Sequence, residues 1–150
     1  MRMNAQSKKD AVQVGAILTA LIALLPWMND FFIVAYLVGA FAAVRSAVRK
    51  RKGILTPTDG AQLGFLSGFY GLLAASAIYD VVWQFFDYQL WQIRNADRLR
   101  SIFAGMLHDA VTPSVWIVIT FQIIVAVIFA GAIGAPSGIL AVKIFQRRGV

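Results

Sequence analysis

The chain has 150 residues, of which 59% are hydrophobic and 14% charged, whereas soluble domains average roughly 45–50% apolar and about 25% charged residues. All seven acidic residues are Asp, and 14 Lys and Arg residues produce a net charge of +7. The absence of Cys excludes disulfide scaffolds, thiolate metal sites and cysteine nucleophiles. This composition argues against an ordinary soluble protein.

Four stretches of the sequence are suited to crossing a membrane. A spanning helix needs about 20 predominantly apolar residues to cross roughly 30 Å of hydrocarbon, and the candidate stretches are residues 11–28, 31–48, 60–86 and 115–136. The first two are separated only by Asn29 and Asp30, which predicts a helical hairpin. Because no small-residue cleavage site follows the first stretch, we interpret it as a retained span rather than a signal peptide.

Helix start signals precede the third and fourth stretches. Thr56 can cap a helix, Pro57 suits the first helical position, and Asp59 can complete a capping box. A Thr-Pro pair that ends at Pro113 precedes the fourth stretch in the same way. Pro136 leaves two possibilities open: it kinks or ends the fourth helix, or the helix continues beyond it toward the C-terminus.

The segment 87–110 is the one sizeable polar stretch between predicted spans. Its apolar residues, including Leu99, Phe103 and Met106, recur at helical spacing, which predicts an amphipathic helix on the membrane surface. A water-exposed loop is the alternative. The predicted fold is therefore all-α, a single transmembrane domain over residues 1–150, with four transmembrane helices and an extracytoplasmic surface helix between the third and fourth.

The distribution of positive charge predicts the orientation. With a cytoplasmic N-terminus, 11 of the 14 cationic residues fall on the inner side, which is the positive-inside pattern. Both termini are then cytoplasmic, and the expected location is a bacterial inner membrane. We interpret the basic run as a topology signal that also contacts anionic lipid headgroups, in preference to a nucleic-acid-binding patch; its residues are Arg49, Lys50, Arg51 and Lys52.

Small residues recur every four positions on the third and fourth spans. Close backbone approach through such residues drives much of helix association in lipid, so we predict a glycine zipper in which the two stripes face each other antiparallel. Whether the contact lies within one chain or between subunits is left open. The predicted packing residues are Gly60, Gly64, Gly68 and Gly71 on the third span, and Ala126, Ala130, Gly134 and Gly138 on the fourth.

The sequence offers little chemistry. The single His108 adjoins Asp109, and no further His or any Glu is present to complete a metal or acid–base site. We therefore predict no catalytic residue, no cofactor and no metal. Polar residues within spans can mark transport pathways, and the candidates are Asp80, Gln84 and Gln122. A solvated helix end and interhelical hydrogen bonds are the simpler interpretations of these residues.

From Thr56 onward, two motifs carry a family resemblance. Asp59, Gly60, Ala61 and Gly64 open a glycine-rich span, and a later span ends in Gly131, Ala132 and Gly134 before a basic tail at Arg147 and Arg148. This pattern resembles a group of small bacterial membrane proteins of unknown function. The resemblance implies a four-span bundle and no catalytic residue.

The abundance of helix-contact surface predicts a structural or accessory membrane subunit. Its expected partners are membrane lipids and either further copies of itself or other membrane-protein subunits, but not nucleic acid. The alternative is a small transporter or pore, including a holin-like one.

Overall fold

The computed structural model describes residues 5–25, 32–50, 54–86 and 115–147, and every regular element in these ranges is helical. The elements in chain order are α1 (Ala5–Ala23), α2 (Phe32–Lys50), α3 (Pro57–Phe86), α4 (Val115–Phe129), a π-helical turn (Ala130–Gly134) and α5 (Ala135–Arg147). The last three elements are continuous, and we call residues 115–147 the C-terminal helix. The all-α class is confirmed, whereas the predicted surface helix at 87–110 lies outside the described residues.

The start of α3 is the capping box that the sequence predicts. Pro57 is the first helical residue. The Thr56 hydroxyl accepts a hydrogen bond from the Asp59 backbone N–H at 3.1 Å, and the Asp59 carboxylate accepts one from the Thr56 backbone N–H, also at 3.1 Å. The two side chains thus satisfy two backbone donors that lack partners within the helix.

The first helix ends earlier in the chain than predicted. The sequence places the end of the first span near residue 28, but α1 ends at Ala23, and Leu24 and Leu25 form a turn. The N–H of Leu25 donates to the Ile22 carbonyl, three residues back, at 3.1 Å. This makes a tighter turn than that of an α-helix, in which the bond reaches four residues back. Pro26 follows directly, and the residue before a proline disfavours helical backbone angles.

The C-terminal helix continues through Pro136 and ends at Arg147. Just before the proline, the Ala135 N–H donates to the Ala130 carbonyl, five residues back, in the π-helical turn. In a regular α-helix a proline ring clashes with the carbonyl four residues earlier. The wider π turn relieves this conflict, so the helix continues beyond Pro136 and the proline does not end it.

The helices alternate in direction. One apolar cluster joins the beginning of α1 (Ala11), the end of α2 (Val44), the beginning of α3 (Leu63) and the end of α5 (Val142). We call this the basic end, because it carries all the cationic side chains that the structure describes: Lys8, Lys9, Arg45, Arg49 and Lys143. The helix α3 contacts α1, α2 and the C-terminal helix, and α2 also contacts α1 and the C-terminal helix.

Small residues fill the interior of this bundle, and large apolar residues cover its surface. The fully buried residues are predominantly small, such as Ala43 and Ala130 at 0% exposure, while large aliphatic side chains such as Ile17 and Ile128 are 59% and 57% exposed. Twenty-one large hydrophobic residues of the described ranges are exposed, although soluble monomers rarely expose apolar patches larger than a few hundred Å².

Two of the helices are long and apolar enough to cross a membrane by length and composition. These are Pro57–Val82 within α3 and Trp116–Gln146 within the C-terminal helix. The helices α1 and α2 have 19 residues each, and α1 includes Lys8, Lys9 and Asp10. Neither offers the same length of uncharged helix.

Candidate functional site

A close backbone contact joins α3 to the C-terminal helix near the basic end. A Cβ atom added to Gly60 would lie 2.6 Å from the Gly138 carbonyl oxygen, and one added to Gly134 would lie 2.7 Å from the Gly64 carbonyl oxygen. Cβ atoms added to Gly64 and Gly138 would overlap the carbonyl oxygens of Gly134 and Gly60. Only glycine allows the two backbones to approach this closely.

The π turn keeps the small residues of the C-terminal helix on one face. Residues spaced four apart drift by about 40° at each step, because an α-helical turn takes about 3.6 residues. The π turn at Ala130–Gly134 takes more residues per turn and so rotates the following residues back. As a result Ala126, Ala130, Gly134 and Gly138 are all buried.

The two remaining predicted packing glycines of α3, Gly68 of the stripe and Gly71 beside it, contact other helices. A Cβ atom on Gly68 would lie 2.5 Å from Cδ1 of Tyr36 on α2, and one on Gly71 would lie 2.8 Å from the Ala16 carbonyl oxygen on α1. The four glycines of α3 therefore serve three neighbouring helices. All of these contacts lie within one chain.

A third close contact joins α1 to α2 and α3. A Cβ atom on Gly15 would lie 2.6 Å from the Gly39 carbonyl oxygen and 2.6 Å from Cβ of Ser67. Thr19 is fully buried between Gly39 and Gly71, and its hydroxyl donates to the Gly15 carbonyl at 3.0 Å. The buried hydroxyls of Ser67 and Ser137 likewise donate to carbonyls of their own helices. These three hydroxyls therefore need no partner on a neighbouring helix.

Tyr36 is a buried residue of the bundle interior that the sequence analysis does not predict. Its side chain is fully buried, its ring packs against Gly68 and Phe129, and its hydroxyl has no hydrogen-bond partner among the described residues. Its place one helical turn before Ala40, on the small-residue face of α2, is the signal that identifies it.

An interhelical polar pair lies at the end of the bundle opposite the basic end. The Gln122 side-chain amide on α4 donates to the Asp80 carboxylate on α3 at 2.7 Å, and both residues are half-buried. Two of the three predicted polar residues are thus in contact, while the side chain of Gln84 lies outside the described part of the chain. One carboxylate and one amide link two helices but provide too few ligands for a metal ion.

Charged and polar groups also connect helices at the basic end. Lys8 on α1 lies 3.9 Å from the Asp59 carboxylate and donates a hydrogen bond to Gln62 on α3. The Gln146 amide of α5 donates to the Leu55 carbonyl just before α3. Of the predicted topology signal, the side chain of Arg49 is described and exposed, whereas the side chains of Lys50, Arg51 and Lys52 lie outside the described part.

No group of three or more His, Asp or Glu side chains that could hold a metal ion occurs among the described residues. His108 and Asp109 lie outside them. Comparison with known protein families, curated proteins and solved structures finds no match to this chain. The resemblance to small bacterial membrane proteins therefore stays a prediction, and the functional argument depends on the geometry alone.

Proposed function

We propose that the chain is an integral membrane protein that spans the bilayer four times. The observation that carries this proposal is that the interior holds small residues while large apolar residues cover the surface. In a membrane, lipid-facing surfaces are apolar and helix interfaces favour small residues. The helices α1 and α2 belong to the membrane domain because large apolar side chains also cover their outer faces, for example Ile17, Leu21 and Ile33. A 19-residue helix is about 28 Å long, close to the roughly 30 Å of a bilayer core.

The basic end faces the cytoplasm in this proposal. Five cationic side chains from three of the alternating helices gather there, and the positive-inside rule assigns such an end to the cytoplasmic side. Both termini then lie inside, in a bacterial inner membrane.

Within the membrane, the protein acts as a structural or accessory subunit. Support comes from backbone contacts that lock the four helices together at glycines, and from the sparse chemistry of the sequence. Because the glycines at positions 60, 64, 134 and 138 are used within the chain, a partner subunit would contact the lipid-facing surface instead. On that surface, Gly131 has open space where a Cβ would be, so a helix of a partner could approach closely there.

The span number is tested by cysteine labelling, for which the Cys-free chain needs no prior substitution. Asn29→Cys lies between α1 and α2, and Gly53→Cys lies between α2 and α3. We expect a membrane-impermeant maleimide to label Asn29→Cys in intact cells and Gly53→Cys only after permeabilisation. Labelling of both from the same side would refute four spans, and the reverse pattern would keep four spans but overturn the orientation.

The subunit role is tested by extraction from native membranes into nanodiscs, followed by native mass spectrometry. Stoichiometric recovery of a second membrane protein, or of a homo-oligomer, is the expected result. Gly131→Leu should weaken that association if a partner helix packs at Gly131. A lone monomer in every mild extraction would contradict the proposal.

The polar pair favours one alternative, a small transporter or pore. Asp80 and Gln122 are half-buried polar groups on neighbouring helices, as is typical of residues that line a pathway. Ion flux in proteoliposomes that falls in Asp80→Asn and Gln122→Leu would support this function. Thr120→Val is the matched control because Thr120 is exposed on the same helix. Absence of flux, or flux equal in all variants, would exclude the pair from a pathway.

A further inference from the structure

A groove of about 890 Å³ follows the outer face of α2, with α1 on one side and α5 on the other. Most of its lining is apolar, including Leu18 of α1, Leu37 and Phe41 of α2, and Phe145 of α5. Its volume lies within the range of roughly 300–1,000 Å³ that is typical of ligand-binding clefts.

The polar lining of the groove gathers at the basic end. Arg45 and Arg49 are one helical turn apart on α2, both are exposed, and Ser46 lies beside them. Lys8 at the same end is paired with Asp59, but no described carboxylate pairs with either arginine. The groove therefore combines an apolar lining with two guanidinium groups at one end that no carboxylate of the described residues neutralises.

The dimensions of the groove match one leaflet of a membrane. From Leu37 to Arg49 the helix rises about 18 Å, and half of a bilayer core is roughly 15 Å. With the basic end at the cytoplasmic face, the apolar lining lies at acyl-chain depth and the arginines lie at headgroup level.

We propose that this groove binds an anionic phospholipid of the inner leaflet. Arg45 and Arg49 hold the headgroup phosphate, since guanidinium groups bind phosphate oxygens through paired, charge-assisted hydrogen bonds. One acyl chain lies against Leu37 and Phe41. A second copy of the chain fits this groove less well, because a parallel neighbour would bring its own basic end against the two arginines. The inference rests on the proposed membrane location.

The test is native mass spectrometry of the full chain released from nanodiscs of phosphatidylcholine mixed with phosphatidylglycerol. We expect the wild-type protein to retain phosphatidylglycerol with an enrichment of roughly tenfold or more, the scale expected when two cations act on one phosphate. The double variant Arg45→Gln/Arg49→Gln should lose this enrichment.

Two further variants separate a built site from general attraction. Lys9→Gln/Lys143→Gln removes the same charge from exposed positions at the same end but outside the groove, and it should keep the enrichment. Leu37→Trp changes no charge and obstructs the groove, and it should reduce the number of retained lipids. Far-UV circular dichroism confirms that each variant is helical.

The outcomes separate the two proposals. Equal loss in the arginine and lysine double variants, or equal retention of both lipids by the wild type, would overturn the lipid site while leaving the membrane protein intact. Retention of a second copy in place of lipid would assign the groove to an oligomer interface and would also overturn the lipid site. Failure of the Asn29→Cys and Gly53→Cys labelling pattern would instead remove the membrane location on which the inference rests.

Discussion

Substitution of Gly64 by alanine tests the contact between α3 and the C-terminal helix. The added Cβ would overlap the Gly134 carbonyl oxygen, and it would lie 2.9 Å from the Gly134 carbonyl carbon and 3.0 Å from the Gly138 nitrogen. All three are backbone atoms, so no side-chain rotation relieves the overlap. Ordinary contacts of a Cβ begin at 3.4 Å, and because the overlap with the carbonyl oxygen is the largest of the three, its relief requires the two backbones to separate by more than about 1 Å.

The magnitude follows from two opposing effects. Overpacking of a close-packed interior costs about 1–3 kcal/mol, whereas the higher helix propensity of alanine returns up to about 1 kcal/mol. We expect Gly64→Ala to lower the free energy of unfolding by about 1–2 kcal/mol, or roughly tenfold in the equilibrium constant. Gly131→Ala is the matched control, since its Cβ would meet nothing within 4 Å, and it should leave stability unchanged or slightly raised.

The assay is titration of the protein in mixed micelles with a denaturing detergent, followed by far-UV circular dichroism. Gly138→Ala should behave like Gly64→Ala, because its Cβ would overlap the Gly60 carbonyl oxygen. If Gly64→Ala were as stable as the wild type, with the same response as Gly131→Ala, the two backbones would not approach as closely as the structure places them.

Three further predictions use the same assay. Thr56→Ala removes the capping box and should cost about 1 kcal/mol, while the exposed Thr58→Ala should change stability by less than about 0.5 kcal/mol; equal effects would contradict the cap. Tyr36→Phe removes a buried hydroxyl without a described partner, so stability should stay equal or rise by up to about 1 kcal/mol, and a loss would reveal a hydrogen bond of that hydroxyl. Asp80→Leu and Gln122→Leu should each cost about 0.6 kcal/mol, at most roughly 1.7, and the double variant should cost less than their sum; additive costs would exclude a direct bond.

Local features of the fold were predictable from the sequence. The capping box depends on residues three positions apart, and the structure has it as predicted. The continuation of the helix beyond Pro136 could not be predicted from such local spacing. It depends on the π turn at Ala130–Gly134, whose hydrogen bond reaches five residues back. No particular residue type indicates such a turn in the sequence.

The pairing of polar groups was only partly predictable. Spacing along α3 placed Asp80 near the end of its helix, and the sequence assigned Gln122 to an interhelical bond with an unspecified partner. The two residues are 42 positions apart, and only the packing of α3 against α4 brings them into contact. The same is true of Arg45 and Phe145, which line one groove from different helices.

The sequence by itself determined that the chain is helical, that its helices have apolar surfaces and small-residue stripes, and that positive charge is concentrated in particular segments. These properties depend on residues close together in the chain, through hydrogen bonds and side-chain spacing within one helix. Only the tertiary structure decided which helix each stripe contacts. Gly64 meets Gly134, Gly68 meets Tyr36, and Gly71 meets Thr19, because the rotation of each helix about its axis is set by mutual close packing rather than by any single segment.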